Sequence, residues 1–174
     1  MEEPIIWPLL LIIIVTTSYL DVTNVLTYEN STYGVKMQYP DDWTVVGVNT
    51  TDTTGNFANF FSPNSEVVQI SNDDLSSSGF PLNDYLNQSI DGYKSYPQTF
   101  PNFQLISSDT NTVLAGHSAY SLVGTYYDLD HGTQKVLETG TVIDDKGYYI
   151  RYIADEPKYS ALLPTVQNMI NSLR

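Results

Sequence analysis

Past Gly34 the side chains alternate. Val35, Met37 and Tyr39 fall on one face, Lys36 and Gln38 on the other. A period of two is the mark of a strand with one buried side. The surrounding stretch, Thr27 to Trp43 (TYENSTYGVKMQYPDDW), begins extended and turns at Asn30-Ser31-Thr32. It re-enters as this alternating strand and stops at Pro40-Asp41-Asp42. Proline cannot extend a hydrogen-bonded ladder, and paired aspartates suit turn geometry. The segment Val25–Tyr39 therefore reads as a hairpin, with Trp43 plugging one end of a core.

The same period recurs along the chain. Strands are expected at Thr44–Val48, Phe57–Phe61, Val67–Ser71, Phe103–Ser107, Ala119–Tyr127, Lys135–Ile143 and Tyr148–Ala154. Tyr148, Ile150 and Tyr152 alternate with Tyr149, Arg151 and Ile153, so both faces of that last strand should be covered. Polar loops are expected at Asn49–Asn56 and Asn72–Gly79. Asp144-Asp145-Lys146-Gly147 reads as a hairpin turn with glycine at the position of positive φ. Twice the period changes. Leu82, Tyr85, Leu86, Ile90 and Tyr93 form one helical stripe after Pro81, ending before Pro97. Leu162, Val166, Met169, Ile170 and Leu173 form a second, with Ser160 a candidate cap and Pro164 in the first turn or at a kink. Strands, helix, strands, helix is the order of an α+β domain, an antiparallel β-sheet flanked by helices. Fourteen tyrosines suit such a sheet.

Residues 1–24 read as a hydrophobic signal or anchor plus linker, and 25–174 as the folded domain. Pro4 to Leu20 (PIIWPLLLIIIVTTSYL) carries no charge. Seventeen residues at about 1.5 Å each reach roughly 25 Å, the short end of a spanning helix. No small-x-small cleavage site follows it. An uncleaved membrane anchor fits best, with a cleaved signal peptide or an element buried in the domain as alternatives. Glu2 and Glu3 precede the stretch and the first lysine is Lys36, so charge gives no orientation. In either leading case the domain faces the cell exterior, membrane-anchored or secreted.

Twenty acids against seven bases give a net charge of −13. Such a surface repels phosphate backbones, which excludes nucleic acid as a partner. It suits a cationic partner, a divalent cation or plain solubility. The absence of cysteine excludes disulfides, thiolate catalysis and Cys-based metal sites. No nucleophile elbow, Ser-x-x-Lys set or phosphate-cradling glycine loop is present, and no catalytic residue is assigned. Three glycosylation sequons, at Asn30, Asn49 and Asn87, are compatible with an external protein and no more. His117 opens a strand and is expected to be structural or solvent-facing. Asp128, Asp130 and His131 share a turn and are the candidate ligands for calcium or another divalent cation, although the spacing is not that of an EF-hand. The pairs Asp41/Asp42, Asp73/Asp74 and Asp144/Asp145 are expected to serve as turn residues.

Four motifs, TYENSTYGVKMQYPDDW, LAGHSAYSLVGTYY (Leu114–Tyr127), ETGTVIDDKGYYIRYIAD (Glu138–Asp155) and YSALLPTVQNMINSL near the end, occur in an order and spacing that resembles the PsbP family. More narrowly, the chain resembles the short PsbP-like domains of ammonia-oxidising archaea. The resemblance spans about Val25 to Leu173 and implies a central antiparallel sheet in an α/β/α sandwich. It further implies a non-enzymatic role, since PsbP is an extrinsic photosystem II subunit that helps retain calcium and chloride. A Ran-binding nuclear transport factor and secreted mycobacterial lipoproteins share that fold. This chain lacks the long basic N-terminal segment that PsbP uses on its photosystem. The expectation is thus an accessory or assembly protein of an unidentified membrane protein complex, or else a small-ligand or divalent-metal carrier.

Overall fold

A computed structural model describes residues 24–47, 55–75 and 78–174. The expected anchor and most of the expected loop Asn49–Asn56 lie outside these residues. No helix among the described residues is long and apolar enough to cross a membrane.

Among the described residues, nine strands and two helices follow one another as β1 (Val25–Asn30), β2 (Val35–Pro40), β3 (Thr44–Gly47), β4 (Asn56–Phe61), β5 (Val67–Asp74), α1 (Leu82–Ser95), β6 (Gln104–Leu114), β7 (His117–Asp128), β8 (Gly132–Ile143), β9 (Lys146–Asp155) and α2 (Glu156–Ser172). Seven strands form one antiparallel sheet in the order β3-β4-β5-β9-β8-β7-β6, and β1 with β2 forms a separate hairpin. The α+β reading is borne out.

Helix α1 packs on β6, β7 and β8, while α2 lies on the opposite face against β2, β8 and β9. Each face buries its own apolar cluster. Under α2 and the hairpin lie Met37, Trp43, Phe60, Ile150, Tyr152, Val166 and Met169. Under α1 lie Tyr85, Tyr93, Tyr120, Leu122 and Val136. Strand β9 sits between them, with Tyr148, Ile150 and Tyr152 in the first cluster and Tyr149 and Ile153 against the second. The hairpin closes over the sheet through Tyr28 and Tyr39, whose rings meet Phe60 at 5.4 and 5.3 Å.

Several expectations change in detail. Strand β5 runs on through Asp73 and Asp74 instead of yielding to a loop, because β9 continues beside it and pairs Asp73 with Gly147 and Asp74 with Lys146. Strand β6 is more than twice as long as expected. Its Ser-Ser-Asp-Thr-Asn-Thr run is polar because the strand is an exposed sheet edge, broken by two irregularities in its pairing with β7. Bulges and polar residues are how sheets blunt such an edge. Ser160 does not cap α2. The helix starts at Glu156 after Asp155, Pro157 occupies the first turn, and Pro164 is accommodated inside the helix.

The β8–β9 turn differs most instructively. The positive φ falls on Asp144 (56°), while Gly147 lies in β9 with an ordinary strand backbone. Gly147 is needed for a different reason. A Cβ there would sit 2.2 Å from Cζ of Tyr85, whose ring rests on the strand. Gly140 does the same beneath Tyr120, at 2.5 Å, and Gly124 beneath Phe103, also at 2.5 Å. Gly147→Ala is expected to lower stability by about 1–3 kcal/mol through overpacking. Gly47→Ala, where a Cβ meets nothing within 4 Å, should leave stability nearly unchanged. Urea denaturation of the two variants separates the cases.

Candidate functional site

The β8–β9 register places Glu138 directly opposite Arg151. Both point to the α1 face, in a row that Gln69 continues on β5. Glu138 is the most deeply buried charged side chain among the described residues, at 1% exposure. An uncompensated carboxylate there would be prohibitive, and the neighbours account for both of its oxygens. Oε2 accepts from Nε of Arg151 at 2.9 Å and from the Tyr93 hydroxyl at 2.8 Å, and Nη2 of Arg151 lies 2.7 Å away. Oε1 accepts from the Tyr120 hydroxyl at 2.7 Å and from Ser89.

These contacts decide the charge state. Burial alone would raise the Glu138 pKa, but the Arg151 guanidinium and the hydroxyl donors outweigh it and hold the carboxyl below its usual range. Arg151 is held well above its ordinary value, because the attraction of Glu138 and its other neighbours overrides desolvation. Tyr93 and Tyr120 are pushed far up by burial and by the Glu138 charge, so both stay protonated and donate.

The guanidinium is also stacked. Its carbon lies 4.9 Å from the Tyr149 ring centre, 5.0 Å from Tyr93 and 5.7 Å from Phe100. Cation–π contacts of this kind favour a partly desolvated arginine. Tyr93 is itself stacked on Phe103 at 4.6 Å.

Beside this ion pair a cleft of about 480 Å³ opens between α1 and strands β5 and β9. Arg151 and Glu138 form its floor, Asp73 one wall, Asp91 and Tyr96 the helix side. Oδ2 of Asp73 accepts from the Tyr85 hydroxyl at 2.9 Å. Burial raises the Asp73 pKa despite that hydrogen bond, with the nearby Glu138 adding to the rise and Arg151 opposing it.

The predicted metal residues Asp128, Asp130 and His131 lie at the β7–β8 turn. Asp128 and His131 do meet. Oδ1 of Asp128 accepts the backbone N–H of Asp130 at 2.8 Å and of His131 at 2.9 Å, and Nδ1 of His131 lies 2.9 Å from the same oxygen. Those donors, the Asp130 amide foremost, lower the Asp128 pKa. The arrangement locks the β7–β8 turn. Among the described residues no three His, Asp or Glu groups converge on a point that could hold a metal ion. His117 is exposed at the start of β7. Asp41 and Asp42 are in a turn, and Asp144 and Asp145 lie in the β8–β9 turn. Asp73, expected to be turn chemistry, is part of the cleft, and that expectation is corrected.

Glu138 and Arg151 were legible as a pair but are easily passed over. With Asp144-Asp145 as the turn, counting back along both strands sets 138 against 151. A lone acid facing a lone base at core-facing positions is the signal.

No family model and no curated protein matches the sequence. Solved structures do. PsbP of the cyanobacterium Synechocystis superposes with a TM-score of 0.67 at 14% identity, covering 92% of this chain and 98% of that one. LpqN of Mycobacterium tuberculosis, described as involved in cell envelope biogenesis, gives 0.60 at 15% identity over 86% and 89%. The Ran-binding protein Mog1p of Saccharomyces cerevisiae gives 0.60 at 9% identity over 87% and 95%. At these identities the likeness shows the fold alone: the described residues adopt a PsbP-like α/β/α fold.

Two outcomes follow for stability. Glu138→Ala leaves Arg151 buried without its counter-charge and should cost about 3–5 kcal/mol in denaturant unfolding. Because the folded pKa of Glu138 is depressed, its contribution is present above the ordinary glutamate range and lost as pH falls through the folded value. Asp73 has the opposite sign. Its raised pKa makes the ionised form a burden at neutral pH, so Asp73→Asn should raise the melting temperature at pH 7, with the gain fading at acid pH.

Proposed function

We propose that this protein is a non-catalytic, extracytoplasmic binding domain that serves as an accessory or assembly subunit of a membrane complex. The N-terminal apolar stretch Pro4–Leu20 tethers it, and the acidic surface of the domain meets a cationic surface of the complex. The observation that carries this reading is the closed state of the buried ionic centre. Glu138 gives both oxygens to Arg151, Tyr93, Tyr120 and Ser89, all residues of its own fold. A general acid or base needs an oxygen within reach of a substrate proton. The serine beside it donates to a carboxylate, without an imidazole to draw off its proton.

The location is supported by analogy. Two proteins of the same fold are cyanobacterial PsbP and an LpqN involved in cell envelope biogenesis. Fold alone does not transfer activity, so the partner has to come from experiment. A second reading, carriage of a small ligand, is favoured by the cleft between α1 and the sheet.

The test is purification of the tagged full chain from native membranes in mild detergent. A membrane complex recovered in a constant ratio across different detergents, and lost when residues 1–24 are removed, is the expected result. A chain that elutes alone from every preparation contradicts the accessory role.

A further inference from the structure

The cleft beside α1 carries two opposite charges whose hydrogen-bonding capacity is only partly used. A guanidinium has five N–H donors in a rigid plane. In Arg151, Nε and Nη2 face Glu138, and Nη1 reaches Oε1 of Gln69 at a long 3.4 Å. Each terminal nitrogen therefore keeps one N–H without a partner among the described residues. The side chain is 17% exposed, and Arg151 is on the cleft floor. Its position is fixed by the rings of Tyr93 and Tyr149, so little order has to be gained when an anion arrives.

Asp73 is the complement. It is half-buried in the wall, its Oδ2 takes the Tyr85 hydroxyl, and its Oδ1 has no hydrogen-bond partner among the described residues. Around both charges the lining is aromatic, with Tyr96 at the rim 56% exposed. The volume, about 480 Å³, lies within the range of small-molecule pockets, roughly 300–1,000 Å³.

We infer that this cleft binds a zwitterion of the α-amino-acid type with an apolar or aromatic side chain. Its carboxylate takes the outer N–H groups of Arg151, its ammonium group meets Asp73, and its side chain lies on Tyr96 and Tyr149. Pairing with both partly used groups, and not the net charge of the lining, selects this class over its singly charged relatives. The lining carries Asp73, Asp91 and Glu138 against Arg151. A simple carboxylate would meet Asp73 and Asp91 uncompensated, and a simple amine would leave the outer N–H groups of Arg151 to solvent. A zwitterion answers both. The inference rests on the ligand-carrying reading and does not depend on docking to a membrane complex.

The test uses three compounds of nearly one shape: phenylalanine, phenethylamine (no carboxylate) and 3-phenylpropionate (no ammonium). Each is titrated into the purified full chain by calorimetry. Phenylalanine should bind saturably, with both analogues at least about tenfold weaker, the discrimination typical of a site whose polar groups are left unpaired. Asp73→Asn should weaken phenylalanine by about tenfold while retaining a cooperative melting transition. Equal affinity for phenethylamine and phenylalanine would overturn the inference, as would no saturable binding of phenylalanine or an unchanged affinity in Asp73→Asn. None of these results touches the co-purification experiment, so the two readings fail separately.

Discussion

A single buried carboxylate ties four elements together. Glu138 on β8 is bonded to Arg151 on β9, to Tyr120 on β7 and to Ser89 and Tyr93 on α1. A buried ion pair is not in itself a large source of stability, because desolvating both charges offsets much of their attraction. What it provides is discrimination. Slipping β9 by one residue would carry Arg151 to the α2 face, away from Glu138, and leave two unmatched charges inside the protein. The α1 helix is positioned by the same logic, since any rotation that removes Ser89 and Tyr93 strips two donors from a buried anion.

The tyrosines that deliver those hydroxyls need room to lie down on the sheet, and glycine supplies it. Tyr120 rests over Gly140 and Tyr85 over Gly147, and the two rings meet edge to face at 5.3 Å. Glycine inside a strand is ordinarily unfavourable, since it has no side chain to pack. Here the ring above fills the missing volume, and the hydroxyl at its tip reaches a carboxylate, Glu138 in one case and Asp73 in the other. The abundance of tyrosine and the strand glycines are two sides of one packing device. It also shapes the cleft, whose wall and floor are these same carboxylates.

Much of the architecture was visible in periodicity alone. The helical stripe Leu82, Tyr85, Leu86, Ile90 and Tyr93 and the double alternation of Tyr148–Ala154 both take up the faces expected of them. What failed was local chemistry overridden by long-range pairing. Asp73 and Asp74 look like loop residues, yet β9 extends far enough to hold them in a strand. Gly147 looks like turn glycine, yet its constraint is a ring arriving from a helix more than fifty residues earlier. The polar run within β6 gave no alternation because both faces of an edge strand are largely solvated. For the site, composition drew attention to the turn around Asp128 and His131. The residues that matter, Glu138 and Arg151, appear only when the hairpin register is counted out and each charge is seen to face the core.

The proposed function takes that closure as its starting point. The fold is shared with PsbP, LpqN and Mog1p, and a shared fold does not fix function. In this chain Glu138 is bonded within the fold, while Arg151 also lines the cleft that opens beside α1. The whole scheme depends on Glu138 being an anion held inside the fold. The most direct check is the ¹³C chemical shift of the Glu138 side-chain carboxyl followed through acid titration. Glu138 should remain ionised while exposed glutamates protonate near pH ~4.3. Protonation together with those residues, or above them, would contradict a carboxylate stabilised by Arg151 and its ring of hydroxyls.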